Sequence, residues 1–239
     1  FLSDSLLSRF DIVGMDPRGI GASDTVECFS SVRTQMQALK GMTVMFPMGA
    51  KEEKAYIKSA KKLGRACSST GRPLSGAMSS AEVARDMDVM RRAVGDKKLN
   101  YLGFSYGSVL GQYYANMFPD RFRALVVDGV LDPRAWVGNT RQILDERLRS
   151  SEGASKALAE ILKRCDQAGE TKCVFAAGDP VKNFETITRE LKKSPLQLPD
   201  GAGGTIEVTY AVFISAVLGS LYGLDAGEQV AALAAEVQA

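Results

Sequence analysis

Hydrophobic positions in the first half of the chain switch between short unbroken runs and helical spacing. Phe10-Asp11-Ile12-Val13-Gly14-Met15 is a brief apolar run and predicts a strand. It gives way to the turn-rich loop Asp16-Pro17-Arg18-Gly19-Ile20-Gly21-Ala22-Ser23. Residues 25–78 read as irregular apart from one predicted helix near 51–63. Ser79-Ser80-Ala81-Glu82 is a capping box, in which a serine oxygen accepts a backbone N–H and Glu82 reaches back to the cap. Val83, Met87, Met90 and Val94 then recur at helical spacing, and Gly95 is a natural stop. The methionines read as core filler. Residues 99–103 predict a strand, and 106–117 a helix with Leu110, Tyr114 and Met117 on its apolar side. Residues 124–130 are a near-continuous apolar run, the mark of a strand in a buried parallel sheet.

After Pro133 the texture changes. Strand-like runs become scarce, and helical patterns appear at 139–149, 153–167 and 180–192. Pro180 suits the first helical turn behind Asp179 as cap. A proline- and glycine-rich link over 195–204 leads to predicted helices at 209–222 and 226–238. The expected architecture is α/β: an incomplete, mostly parallel core over residues 1–133, then a helical cap or lid over 134–239. The remaining strands of the sheet are expected beyond residue 239.

Composition narrows this little. The formal charge of +2 and 45% hydrophobic content are ordinary for a globular chain of 239 residues. No Lys/Arg-rich block suggests a nucleic-acid partner, and the mixed stretch 51–65 reads as a solvated helix face. No apolar run approaches the ~20 residues a membrane span needs. The abrupt start at Phe1 has no signal-peptide shape, and the final helical pattern stops midway. Both ends are expected to be cuts within a longer protein.

Cys28, Cys67, Cys165 and Cys173 allow three pairings. The sequence-local choice is Cys28 with Cys67 and Cys165 with Cys173. Loop closure then contributes roughly 4 and 3 kcal/mol before strain. Bridged cysteines imply an oxidising, secreted or periplasmic setting; the alternative is four reduced thiols in a cytosolic enzyme. Without C-x-x-C spacing or histidine, a zinc site is not expected. Gly19-Ile20-Gly21 lacks the third glycine and following helix of a dinucleotide site, so no cofactor is expected.

The candidate chemistry lies in Gly103-Phe104-Ser105-Tyr106-Gly107, a nucleophile-elbow pattern between a predicted strand and helix. Small residues flank the serine because the turn is tight. Ser105 is the expected nucleophile. The Tyr106 backbone N–H is the expected oxyanion donor, at a helix N-terminus that favours negative charge. The chain has no histidine, the usual base for such a serine. Lys97 and Lys98 precede the strand, at its far end from Ser105, and do not replace it. Asp128 and Asp132 follow the elbow helix and read as turn and attachment residues.

Several stretches together resemble the α/β-hydrolases, and within them the secreted tripeptidyl and prolyl aminopeptidase-like serine hydrolases of actinobacteria. They are Asp16 to Ser23, Cys28 and Cys67, and Asn100-Tyr101-Leu102-Gly103-Phe104-Ser105-Tyr106-Gly107-Ser108. Phe118-Pro119-Asp120-Arg121, Val127-Asp128-Gly129-Val130-Leu131-Asp132-Pro133, Trp136, Cys165 and Cys173 complete the set. The resemblance covers nearly all of residues 10–180 and is looser after 205. It implies acyl transfer through Ser105 on peptides near a free N-terminus, beneath a cap that recognises the amino end. It also implies export, with a signal peptide upstream of Phe1. The family's glycine-rich oxyanion motif, acid and histidine are missing here, and its members are much longer. The acid and histidine are therefore expected from the C-terminal remainder of the protein, on the same polypeptide or a second chain. A carboxylic-ester hydrolase and a non-catalytic binding module on the same scaffold are the alternatives.

Overall fold

A computed structural model describes residues 2–44, 46–138, 141–199, 201 and 203–238. In chain order the elements are α1 (Asp4–Leu7), α2 (Val32–Leu39), α3 (Gly49–Ser69), α4 (Ser80–Ala93), β1 (Leu99–Phe104), α5 (Tyr106–Met117) and β2 (Phe122–Asp128). Then come α6 (Pro133–Val137), α7 (Leu144–Leu148), α8 (Ser150–Ala168), α9 (Pro180–Lys193), β3 (Leu196–Pro199), β4 (Thr205–Val208), α10 (Tyr210–Ser220) and α11 (Ala226–Gln238). The chain divides into two units. One runs to Leu39 and resumes over Ala60–Val137; the other holds Lys40–Ser59 and the residues from Gly138 onward.

In the first unit, β1 and β2 pair in parallel, but no residue of β2 is buried and Val126 is exposed, so the buried sheet that the apolar run predicted does not form among the described residues. Tyr101 lies opposite Leu125, Gly103 opposite Val127 and Phe104 opposite Asp128. Ala84 and Met87 of α4 and Tyr114 of α5 form the buried centre, with Met15, Leu99, Tyr101, Leu110, Met117 and Phe122 around them. The Ser79 cap forms, its Oγ accepting from Glu82 N at 3.3 Å. The return arm of the capping box does not form among the described residues. The Glu82 carboxylate faces Arg85 at 2.5 Å and Arg18 at 3.8 Å instead, because guanidinium groups compete for it. The buried face of α4 is Val83, Ala84, Met87, Asp88 and Arg91, so two charged residues continue the stripe. Val94, expected on that face, is exposed.

Two sequence expectations before α4 need correction. Residues 10–15 enter no ladder among the described residues, and Ile12 and Val13 are exposed. A strand is a property of pairing, which an apolar run cannot secure alone. Residues 25–78 also hold a further helix, α2, and α3 extends past both ends of the 51–63 prediction. Cys67, near the end of α3, is bridged to Cys28 with Cα atoms 4.5 Å apart.

The second unit has its own core, including Leu162, Phe175, Phe184, Ile187, Leu191, Phe213, Val217 and Val230. Asp179 Oδ1 accepts from Lys182 N at 3.1 Å and starts α9, with Pro180 in its first turn. Phe184, Ile187 and Leu191 recur on one buried face, and the Phe184 ring lies 5.5 Å from that of Phe213. Cys165 on α8 is bridged to Cys173, which ties down the turn after that helix. The 195–204 link is a hairpin arm: β3 and β4 are antiparallel, Leu196 opposite Val208 and Leu198 opposite Ile206. Short alternation next to proline and glycine concealed it. The predicted 139–149 helix begins at residues 139 and 140, outside the described residues, and appears as the short α7. Arg149, with φ 55°, turns the chain between α7 and α8.

Candidate active site

β1 delivers the chain to Ser105, which sits in the left-handed region at φ 51°, ψ −118° before α5 begins. Among described non-glycine residues only Ser105 and Arg149 have positive φ. Such a conformation costs about 1–3 kcal/mol and persists only where neighbours over-determine it. The local sequence supplies that constraint. Ser105 N donates to Asp128 O at 2.9 Å, continuing the β1–β2 pairing into the turn. A Cβ on Gly103 would come within 2.5 Å of the Tyr101 ring and 2.6 Å of Gly107 O. A Cβ on Gly111 would strike the same ring at 2.6 Å. Strand, turn and helix therefore meet at a separation only glycine permits. Tyr101 OH donates to Gly107 O at 2.8 Å, and burial raises the pKa of its phenol.

Ser108 fastens the turn from beneath. Fully buried, its Oγ donates to Ser105 O at 2.6 Å and accepts from Leu131 N at 3.0 Å. Gln112 Nε2 donates to Ser108 O at 3.1 Å and Leu131 O at 3.2 Å. The segment following β2 is thus tied to the first two turns of α5. Sequence reading missed Ser108, Gln112 and Tyr101 as supports. Their one signal is position, within a helical turn or two of the elbow.

Ser105 is exposed, and its Oγ makes no hydrogen bond among the described residues. As the first residue of α5, Tyr106 has no intrahelical acceptor for its N–H. Its phenol is hydrogen-bonded to Ser80 Oγ, and its ring meets Trp136 edge-on, centroids 5.2 Å apart and planes at 63°. Asp128 Oδ1 accepts from Gly129 N at 2.7 Å, and Asp132 Oδ1 accepts from Arg134 N at 2.8 Å. Both carboxylates are engaged in their own turns.

The 16–23 loop is held by its own charges. Asp16 Oδ2 accepts from Ala22 N at 2.8 Å, and Ser23 Oγ donates to Asp16 O at 2.6 Å. Arg18 grips Asp86 through Nε at 2.7 Å and Nη2 at 2.8 Å, and donates from Nη1 to Ala77 O at 2.9 Å. Its pKa is raised, chiefly by the Asp86 hydrogen bonds. These contacts make the loop a brace against the start of α4. Among the described residues there is no cluster of three or more Cys, Asp or Glu able to hold a metal, and no helix long and apolar enough to cross a membrane.

Gly103→Ala will lower folding stability by about 1–3 kcal/mol, the usual range for a clash in a packed site. Urea unfolding followed by circular dichroism checks this, with a lower midpoint as the expected outcome.

A strained serine between a parallel strand and a helix, with a sterically enforced Gly103 beside it, defines a class. Residues 2–151 match the family described as alpha/beta hydrolase fold, and the chain belongs to it. Over 180 residues the chain is 33% identical to Serine protease Hip1 of Mycobacterium tuberculosis, covering 74% of this chain and 32% of that protein. Tripeptidyl aminopeptidase of Streptomyces lividans is 40% identical over 124 residues, 52% of this chain and 22% of that protein. Carboxylesterase B of Mycobacterium tuberculosis is 29% identical over 239 residues, 93% of this chain and 44% of that protein. The chain thus spans about a third of the length of Hip1 and less than half of Carboxylesterase B. Its relatives are serine hydrolases with peptidase and esterase names.

Proposed function

We propose that this chain is the nucleophile-bearing portion of a serine hydrolase that releases short peptides or single residues from peptide N-termini. One observation carries the reading: Ser105 holds a strained left-handed conformation at a strand-to-helix turn, exposed and free of side-chain capping. In this mechanism a histidine takes the proton from Ser105 Oγ as the oxygen attacks the scissile carbonyl carbon. The tetrahedral oxyanion accepts a hydrogen bond from Tyr106 N–H, aided by the positive end of α5. The C–N bond breaks, the histidine protonates the leaving amine, and water hydrolyses the ester on Ser105. The 239 residues contain no histidine, so that base comes from outside them, and in the proposed mechanism its acid partner does as well. An unassisted serine is a weak nucleophile, and this chain alone is expected to be inactive. In this reading residues 134–239 serve as the helical cap. Two disulfides favour a secreted or cell-envelope location.

The similarity to Carboxylesterase B across 93% of the chain favours a second reading, a carboxylic-ester hydrolase using the same Ser105 chemistry. Side-by-side turnover of tripeptidyl or aminoacyl amides and simple acyl esters by the natural protein separates the two. Amide turnover is expected; ester-only turnover overturns the peptidase reading. A protein with neither activity would be the third alternative, a binding module on a hydrolase scaffold.

A further inference from the structure

Tyr106 carries a side-chain arrangement that the acyl-transfer scheme does not use. Its phenol is hydrogen-bonded to Ser80, the first residue of α4, while its ring edge packs against Trp136 on α6. Trp136 is itself seated by its backbone, its N–H donating to Asp132 O at 2.9 Å. Tyr106 is 41% exposed, so bulk packing alone does not fix it. A hydrogen bond on one side and an aromatic edge on the other do so. The same residue's backbone N–H is the oxyanion donor in the scheme above. Such a donor acts only where the oxyanion forms, within tenths of an ångström, and its value depends on being oriented beforehand.

We propose that Ser80 and Trp136 are positioning residues, which clamp the Tyr106 side chain and so aim its backbone N–H at the oxyanion. This rests on the reading of Ser105 as nucleophile. The clamp ties the start of α5 to the start of α4 and to the segment after β2. Each partner contributes through Tyr106 and neither touches the substrate.

The test uses the natural protein and a fluorophosphonate, with kinact and KI measured separately and amide exchange followed in the peptide containing Ser105–Ser108. Ser80→Ala and Tyr106→Phe remove the same hydrogen bond from its two ends. Each is expected to lower kinact about five-fold, the effect of one ordinary hydrogen bond, with KI unchanged. The double variant is expected to fall no further than either single one, since the two share one interaction. Ser80→Thr, which keeps the hydroxyl, is expected to restore kinact. Amide exchange is expected to speed up in both single variants. Unchanged kinact in both, a multiplicative loss in the double variant, or a raised KI with kinact intact would each overturn the clamp. Faster exchange without slower phosphonylation would reduce it to a structural brace and overturn it as well. If wild-type protein takes no label at Ser105, the nucleophile reading fails, and this inference fails with it. Labelled wild type with unaffected variants sinks the clamp alone.

Discussion

Ser105→Ala will lower hydrolysis by at least about 10³-fold while leaving the fold intact. The two halves of that expectation have separate causes. Chemistry is lost because the acyl acceptor is the Ser105 Oγ, and water bound in its place lacks both its proximity and its activation. Stability is kept because that oxygen makes no hydrogen bond among the described residues and is exposed. The hydrogen bonds that build the elbow use only the backbone of Ser105, Ser105 N to Asp128 O and Ser108 Oγ to Ser105 O, and alanine preserves them. Alanine meets the same strain at φ 51° that serine already bears. Turnover and thermal unfolding should be measured on the same preparation of natural protein. Substantial residual turnover, or a collapse of the melting temperature, would contradict the role given to Ser105.

Asp88→Asn is expected to have the largest effect on stability. Asp88, on the buried face of α4, is 3% exposed. Its Oδ1 accepts from Arg91 Nη2 at 2.9 Å, Arg91 Nε at 3.1 Å and Tyr114 OH at 3.2 Å. Its Oδ2 accepts from Arg121 Nη1 at 2.6 Å and lies 3.5 Å from Arg92 Nε. Asparagine retains the shape but leaves the buried Arg91 guanidinium without a counter-charge. Severing a buried ion pair costs about 3–5 kcal/mol, and the low end applies because Arg121 and Arg92 are half exposed. For a chain of this size about 3 kcal/mol corresponds to a melting temperature lowered by roughly 6–12 °C.

The pH dependence gives this prediction a sign. Burial pushes the Asp88 carboxyl up, but the Arg91 hydrogen bonds and charge, the Arg121 charge and the Tyr114 hydroxyl outweigh it. Its folded pKa therefore lies below the ordinary value. A lowered carboxylate pKa contributes stability at neutral pH, above the unfolded value near ~3.9, and that stability fades as pH falls through the folded value. Urea melts at neutral pH should show the full gap between wild type and Asp88→Asn. Melts below about pH 3 should show it narrowed. A gap of constant size would mean that the Asp88 charge is not what holds the cluster.

The elbow was legible in sequence because steric demand is written in residue type. Gly103 and Gly107 flank Ser105, and at Gly103 the Tyr101 ring and the Gly107 backbone leave no room for a side chain. Caps were legible for the same reason: Ser79 and Asp179 each accept a backbone N–H with their side-chain oxygen. What failed depended on partners that the sequence does not mark. Residues 10–15 have the composition of a strand but enter no ladder among the described residues. Leu196, Leu198, Ile206 and Val208 form a hairpin whose alternation is too short to stand out beside Pro195, Pro199 and the glycines. Asp88 and Arg91 interrupt an apolar stripe in sequence yet occupy its buried face, because each neutralises the other. Ser108 lies in a run of helical residues with nothing to mark it, and only the fold shows its hydroxyl linking the elbow to Leu131.

Acyl transfer by this chain depends on which oxygen forms the covalent bond. The most direct measurement is phosphonylation of the natural protein with a fluorophosphonate, followed by peptide mapping of the adduct by mass spectrometry. One adduct is predicted, on the peptide containing Ser105 and absent from Ser105→Ala. An unmodified protein, or an adduct on another serine such as Ser80 or Ser108 that persists in Ser105→Ala, would contradict it.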